Sequence, residues 1–143
     1  MLSKGEDAVK KEFIHPEKLA NFPKLFTQVV TVESGGTKTV YVSGQVAIDR
    51  NGNVVGKGDL AAQAEQAFEN LALALESAGA RPEDVVKLNT YVVNMKPEDG
   101  RTVGIARKKR FNQKDLPAST MVGVQSLVMP DFLLEVEAIA AVG

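Results

Sequence analysis

Near the C-terminus the run Leu134-Glu135-Val136-Glu137-Ala138-Ile139-Ala140 alternates with a period of two. That is the period of extended backbone, whose successive side chains point to opposite faces. Leu134, Val136, Ala138 and Ala140 therefore share one face of a strand, and Glu135 and Glu137 share the other. A wholly apolar face has to lie on a core, whereas carboxylates on an otherwise apolar strand need water, partners or a task. A second strand, over Val85–Val93, sets Val86, Leu88, Thr90 and Val92 against Val85, Lys87, Asn89, Tyr91 and Val93. Both of its faces are largely apolar, as in a strand at the centre of a sheet.

The elements between these anchors can be read from pattern. Residues 1–24 show little periodicity and contain Pro16 and Pro23, so they read as a surface arm, and residues 25–143 as one domain. Val29 to Val32 and Thr39 to Ile48 are rich in β-branched residues and flank Glu-Ser-Gly-Gly-Thr-Lys, which fits a hairpin. Asn51-Gly52 between Ile48 and Val54 signals a second hairpin turn. From Asp59 the period becomes helical. Leu60, Ala64, Ala67, Phe68, Leu71, Ala74, Leu75 and Ala78 form one stripe with Gln63, Glu65, Gln66, Glu69 and Glu76 outside it, between a capping Asp59 and Gly79. A weaker helix is expected from about Gly100 to Phe111, and two strands joined by a turn between Leu116 and Ala140.

This order makes an α+β chain with a single mixed β-sheet and two helices packed on one face of it. The other face would be wet although its strands carry apolar residues there, which argues that another subunit covers it.

Composition narrows the function. A chain of 143 residues without cysteine can bury roughly two-thirds of its unfolded surface unaided, and can form neither disulfides nor thiolate zinc sites. Seventeen basic and eighteen acidic residues give a net charge of -1, no global field for nucleic acid or an anionic membrane. No apolar run reaches the ~18 residues of a membrane span, so a soluble, cytoplasmic protein is expected, binding neither membrane nor nucleic acid.

Several segments together closely resemble the RidA/YjgF reactive-intermediate deaminase family, also labelled endoribonuclease L-PSP: Tyr-Val-Ser-Gly-Gln at 41–45, the helix with Gln63, Asn70-Leu71 and Ala78-Gly79, Val85-Val86-Lys87 followed by Thr90-Tyr91-Val92, then Pro117-Ala118 and the terminal Glu-Val-Glu-Ala-Ile-Ala. The resemblance covers roughly Ile14 to Val142. It implies a YjgF/chorismate-mutase-like fold, a homotrimer around a central barrel, and an inter-subunit pocket for a small-molecule ligand, without cofactor or metal. Family members grip the carboxylate of an enamine or imine acid with the arginine of a Pro-Ala-Arg segment, while an acid of the last strand holds the water that releases ammonia. Carried over by position, the resemblance implies Glu135 as the water-holding catalytic acid, with Phe26, Ser43, Gly44, Ser119 and Met121 around the substrate. Ser119 stands where the deaminating members have arginine, and Phe26 where many have tyrosine.

Each residue also has a plain structural reading. Glu135 could satisfy donors at a subunit contact, Glu137 could pair with a neighbouring chain's lysine or arginine, and Ser43 and Ser119 could cap turns. His15 is the sole histidine and precedes Pro16, which disfavours a Ser-His nucleophile or a histidine metal site. Arg107-Lys108-Lys109-Arg110, the one basic cluster, reads first as a solvated helix face. Three functions follow in order: a small-molecule hydrolase acting on an enamine- or imine-type metabolite without the arginine anchor, a non-catalytic metabolite-binding trimer, and, last, an endoribonuclease.

Overall fold

The structure, a computed structural model, describes residues 8–143. Strands β1 (Lys10–Ile14), β2 (Val29–Ser34), β3 (Thr37–Gln45), β4 (Val85–Val93), β5 (Ala118–Val124) and β6 (Leu134–Val142) form one sheet in the order β1-β2-β3-β6-β4-β5. Helices α1 (Leu60–Ser77) and α2 (Asp99–Arg110) complete the fold, with one 3-10 turn, Pro82–Asp84, before β4. Only β4 and β5 are parallel neighbours. A parallel pair needs a crossover, which α2 supplies, and α1 likewise carries the chain from β3 over β6 to β4.

Helix α1 begins where the Asp59 carboxylate accepts the Ala62 N–H at 3.1 Å, relieving one of the donors that a first turn leaves open. It ends as the Ala80 N–H reaches back past Gly79 to the Leu75 carbonyl at 2.9 Å. Its apolar stripe is buried on Val40 and Val42 of β3, Leu88 and Val92 of β4, and Leu134, Val136, Ala138 and Ala140 of β6; Val103 and Ala106 of α2 close the same core. Phe68 meets Phe111 edge-on with ring centroids 5.7 Å apart. Both helices thus cover one face of a mixed sheet, as the sequence pattern requires.

Gln63 is an exception to the stripe: read as an outward residue, it is fully buried. Its amide donates to the Asp131 carbonyl at 2.9 Å and the Gly56 carbonyl at 3.2 Å, and its oxygen accepts the Leu133 N–H at 2.9 Å. A helical period cannot announce such a clamp, because its partners are loop backbone far away in sequence. Asn70 does the same work two turns on along the same face, donating to the carbonyls of Val46 and Ile48 at 2.9 Å.

A second difference lies at the next turn. Asn51-Gly52 does form a turn, with Asp49 Oδ1 accepting from the N–H groups of Asn51 and Asn53 and Gly52 at φ +84°. The hairpin bonds, Asp49 N–H to the Asn53 carbonyl at 2.9 Å and Val55 N–H to the Ala47 carbonyl at 2.8 Å, frame a single bridge, Ile48 to Val54, and β3 stops at Gln45.

Three further readings change. The stretch taken as an arm contains β1, paired with β2 from Lys10 opposite Glu33 to Ile14 opposite Val29; residues 1–7 lie outside the described residues. Four of the five β1 residues are exposed, so no burial imposes a period on them. The two C-terminal strands are not neighbours, because β4 lies between them. In β4 itself the register shifts between Val85 and Lys87, turning Val86 outward to 50 % exposure while Val85 joins the core, so strict alternation fails at that bulge.

Candidate functional site

The helix-free face of the sheet is built by the odd-numbered residues of β6. In register across it, Phe13, Val30, Tyr41 and Ile139 form an apolar row ending at Lys87. The next row sets Glu137 opposite Asn89 and Thr120, and the one after sets Glu135 opposite Tyr91 and Val122. Phe13, Tyr41 and Val122 remain exposed, at 62 %, 47 % and 41 %. A shallow depression of about 280 Å³ opens on this face between Tyr41, Ser43, Lys87, Asn89 and Glu137.

The two carboxylates differ sharply in their surroundings. Glu137 accepts the Tyr91 hydroxyl at 2.6 Å and the Asn89 amide at 3.2 Å, both within its own chain. Among the described residues it pairs with no lysine or arginine. Hydrogen bonding to Glu137 pushes the Tyr91 phenol above its ordinary value, with burial and the charges of Glu137 and Glu135 adding to it. Glu135 is half-buried and has no hydrogen-bond or ion-pair partner among the described residues. Burial, and then the charge of Glu137, raise its carboxyl above the usual carboxylate range.

The place of Glu135 is set by a bulge in β3, where the register slips between Val42 and Gln45. The Glu135 side chain lies across Gly44: a Cβ there would come within 2.6 Å of Cδ and 2.9 Å of Cγ of Glu135, and closer still to Oε2. Only glycine leaves that room. Ser43 beside it both lines the depression and secures the preceding loop, its hydroxyl donating to the Thr27 carbonyl at 2.6 Å and its N–H to the Gln28 carbonyl at 2.9 Å. The buried Gln45 amide donates to Gln28 at 2.7 Å, and Gln28 donates to the Ala20 carbonyl at 2.8 Å, so the segment before β2 is held against the bulge. Phe26 of that segment is 41 % exposed, stacks on Phe22 at 5.9 Å and shares a cavity of about 40 Å³ with Gly44.

Of the residues singled out in the sequence, Gly44 lies under Glu135, Ser43 adjoins Gly44 in β3, and Phe26 borders the small cavity that Gly44 lines. Ser119 and Met121 lie apart from these. They pair in register with Leu88 and Thr90, whose side chains face the helices, and so project from the opposite face of the sheet, with β4 between them and β6. Met121 packs on the core, while Ser119 is exposed on an edge strand. One chain therefore holds the two halves of the expected pocket apart.

Tyr91 and Asn89 were not singled out in the sequence. Their parity in β4, shared with Lys87, was the available signal, but the antiparallel register that sets them against β6 is invisible without the sheet. His15 is exposed, and the described residues contain no cluster of three groups able to hold a metal ion. Lys109 pairs with Glu65, and Arg110 with Glu69 at 3.9 Å, so α1 carboxylates answer half of the basic run. No helix among the described residues is long and apolar enough to cross a membrane.

The family model described as endoribonuclease L-PSP matches residues 23–142. The chain is 34% identical over 118 residues to the 2-iminobutanoate/2-iminopropanoate deaminase of Mus musculus, covering 82% of each chain. It is 32% identical over 130 residues to a RutC family protein of Pyrococcus abyssi, covering 91% of this chain and 96% of that one. The crystal structure of RidA from the Antarctic bacterium Psychrobacter sp. superposes with a TM-score of 0.79 at 28% identity, over 92% of this chain and 99% of the other.

Proposed function

Because the chain belongs to the endoribonuclease L-PSP family, in which the RidA and RutC proteins fall, we propose that it hydrolyses a reactive imine- or enamine-type metabolite in a pocket completed by a second copy of itself. The observation that carries this reading is Glu135: a half-buried, unpartnered carboxyl laid over the one residue, Gly44, that leaves it room. A carboxyl raised toward neutrality and free of partners is suited to hold a water and carry a proton. Water adds to the carbon of the C=N bond, Glu135 passes a proton to the nitrogen, and the C–N bond breaks to leave a carbonyl compound and ammonia. An enamine enters the same route after tautomerising to the imine.

The uncovered sheet face supports assembly, since Phe13, Tyr41 and Val122 expose apolar surface that a partner would bury. A trimer around these faces would bring the β5 edge of one copy, with Ser119 and Met121, toward the β3–β6 seam of another. Ser119 cannot grip a carboxylate as guanidinium does. A hydrogen bond to a charged group contributes about 1.5–3 kcal/mol, so at least about tenfold in affinity for an anionic imino acid is missing. The substrate is therefore a neutral imine, or one whose polar group is met by backbone N–H groups and the Ser119 hydroxyl.

The test is ammonia release from a panel of enzymatically generated imines, with and without a carboxylate. Ser119→Arg should raise kcat/KM on 2-iminopropanoate by about tenfold or more. No gain in a variant that keeps its fold and its oligomeric state would overturn the pocket assignment. If neither protein turns over any imine while a metabolite raises Tm, the pocket binds without catalysis.

A further inference from the structure

Glu135 and Glu137 sit two residues apart on the same face of β6, yet every donor that reaches the pair goes to Glu137. Tyr91 and Asn89 supply it with a hydroxyl and an amide, and both are held in the central strand β4, directly in register with β6. The remaining charged and titratable groups on this face are Lys87 of β4, Tyr41 of β3 and, at the far edge, Lys11 of β1 opposite Val32; the facing residues of β5 are Thr120 and Val122. Lys87 donates to the Thr120 hydroxyl at 3.0 Å and forms no ion pair with either carboxylate. The pair therefore has no counter-cation among the described residues, and its asymmetry comes from neutral donors alone.

We propose that Glu137 is a positioning residue: Tyr91 and Asn89 hold its carboxylate in place beside Glu135, and its charge keeps a proton on Glu135. The proposal rests on the reading of Glu135 as the proton carrier. Two close carboxylates do not both ionise freely, and hydrogen bonds to one of them decide which gives way. With the proton on Glu135, the step to the imine nitrogen is a transfer from acid to base that leaves an iminium and a carboxylate. The attacking water then returns a proton to that carboxylate as the C–O bond forms; Glu135 gives it to the amino nitrogen as the C–N bond breaks, and recovers one from the hydroxyl that becomes the carbonyl, so it ends the cycle as it began. Glu137 touches no substrate in this scheme.

The intact protein tests it by a carboxyl-carbon NMR titration, which reads the proton without turnover. In the wild type the Glu135 midpoint should lie above the ordinary carboxylate value. Glu137→Gln should lower the Glu135 midpoint toward the ordinary carboxylate range, and Glu137→Asp, which keeps the charge, should lower it less. Tyr91→Phe, which removes a donor that holds Glu137, should also lower the Glu135 midpoint, by less than Glu137→Gln does. The basic limb of the kcat/KM profile should fall with the Glu135 midpoint if the hydrolytic reading holds. A midpoint shift in protein without activity would leave the carboxylate pair standing and remove the hydrolase. A Glu135 midpoint indifferent to Glu137→Gln, in variants whose amide spectra show the native fold, would overturn the proposal.

Discussion

The two faces of β6 obey different rules. Toward the helices, Leu134, Val136, Ala138 and Ala140 are all buried, and each could be replaced only by a residue of similar shape. Toward the open face, Glu135, Glu137 and Ile139 are half-buried beside exposed Tyr41 and Val122, and the core of this chain needs none of them. A single strand thus carries stability at one parity and, at the other, the carboxylates to which the proposed chemistry is assigned. What occupies the second parity answers to something outside the chain, a ligand or another copy. Substitutions should separate the two faces: stability without activity on one, activity without stability on the other.

The largest effect belongs to the covered face. Phe68 is fully buried at the centre of the helix-sheet layer and edge-on to Phe111. Phe68→Ala leaves a cavity between parts that cannot close on it, and should cost about 3–5 kcal/mol in unfolding free energy by urea titration. A loss below about 1 kcal/mol would mean that the layer is loosely packed and the contrast between faces overstated.

On the open face Gly44→Ala should do the reverse. The added methyl collides with Cγ, Cδ and Oε2 of Glu135, its three nearest atoms, so the flexible side chain swings away and the strand stays. Unfolding free energy should change by less than about 1 kcal/mol, while ammonia release falls by about 10²-fold, the low end of what a general acid-base group contributes. Equal activity in wild type and Gly44→Ala would mean that Glu135 works from another position or not at all.

Much of this contrast was legible in the sequence, since period two in β6 and period 3.6 in α1 give the covered face almost residue by residue. The order of strands was not: β5 and β6 follow one another in the chain, yet β4 separates them, a pairing decided by long-range register. The edge strand β1 was silent because exposure on both sides imposes no pattern. In the site, Glu135 stood out as a carboxylate among apolar residues, and Gly44 came only from resemblance to relatives. The reason for Gly44, a bulge that turns the chain under the Glu135 carboxyl, needs coordinates. Tyr91 and Asn89 were overlooked because a tyrosine or asparagine in a strand is ordinary until its cross-strand partner is known.

The smallest effect concerns what Glu135 costs the fold. Its carboxyl is raised above the reference value of 4.5, first by burial and then by Glu137, so the folded protein holds that proton more tightly than the unfolded chain does. The contribution to stability is complete below the unfolded value and is lost as pH rises through the folded one, because above that point the fold must keep an ionised group half out of water. Glu135→Gln stays neutral throughout. The variant should therefore gain on the wild type as pH is raised from below 4.5 into the neutral range, and then hold a constant margin. The effect is limited because water still reaches part of the side chain and screens its charge. Paired Tm measurements across that window read it directly. A margin that shrinks with rising pH would require a cation or donor at Glu135 in solution, and would move the unpaired carboxyl, with the chemistry assigned to it, off this face of the sheet.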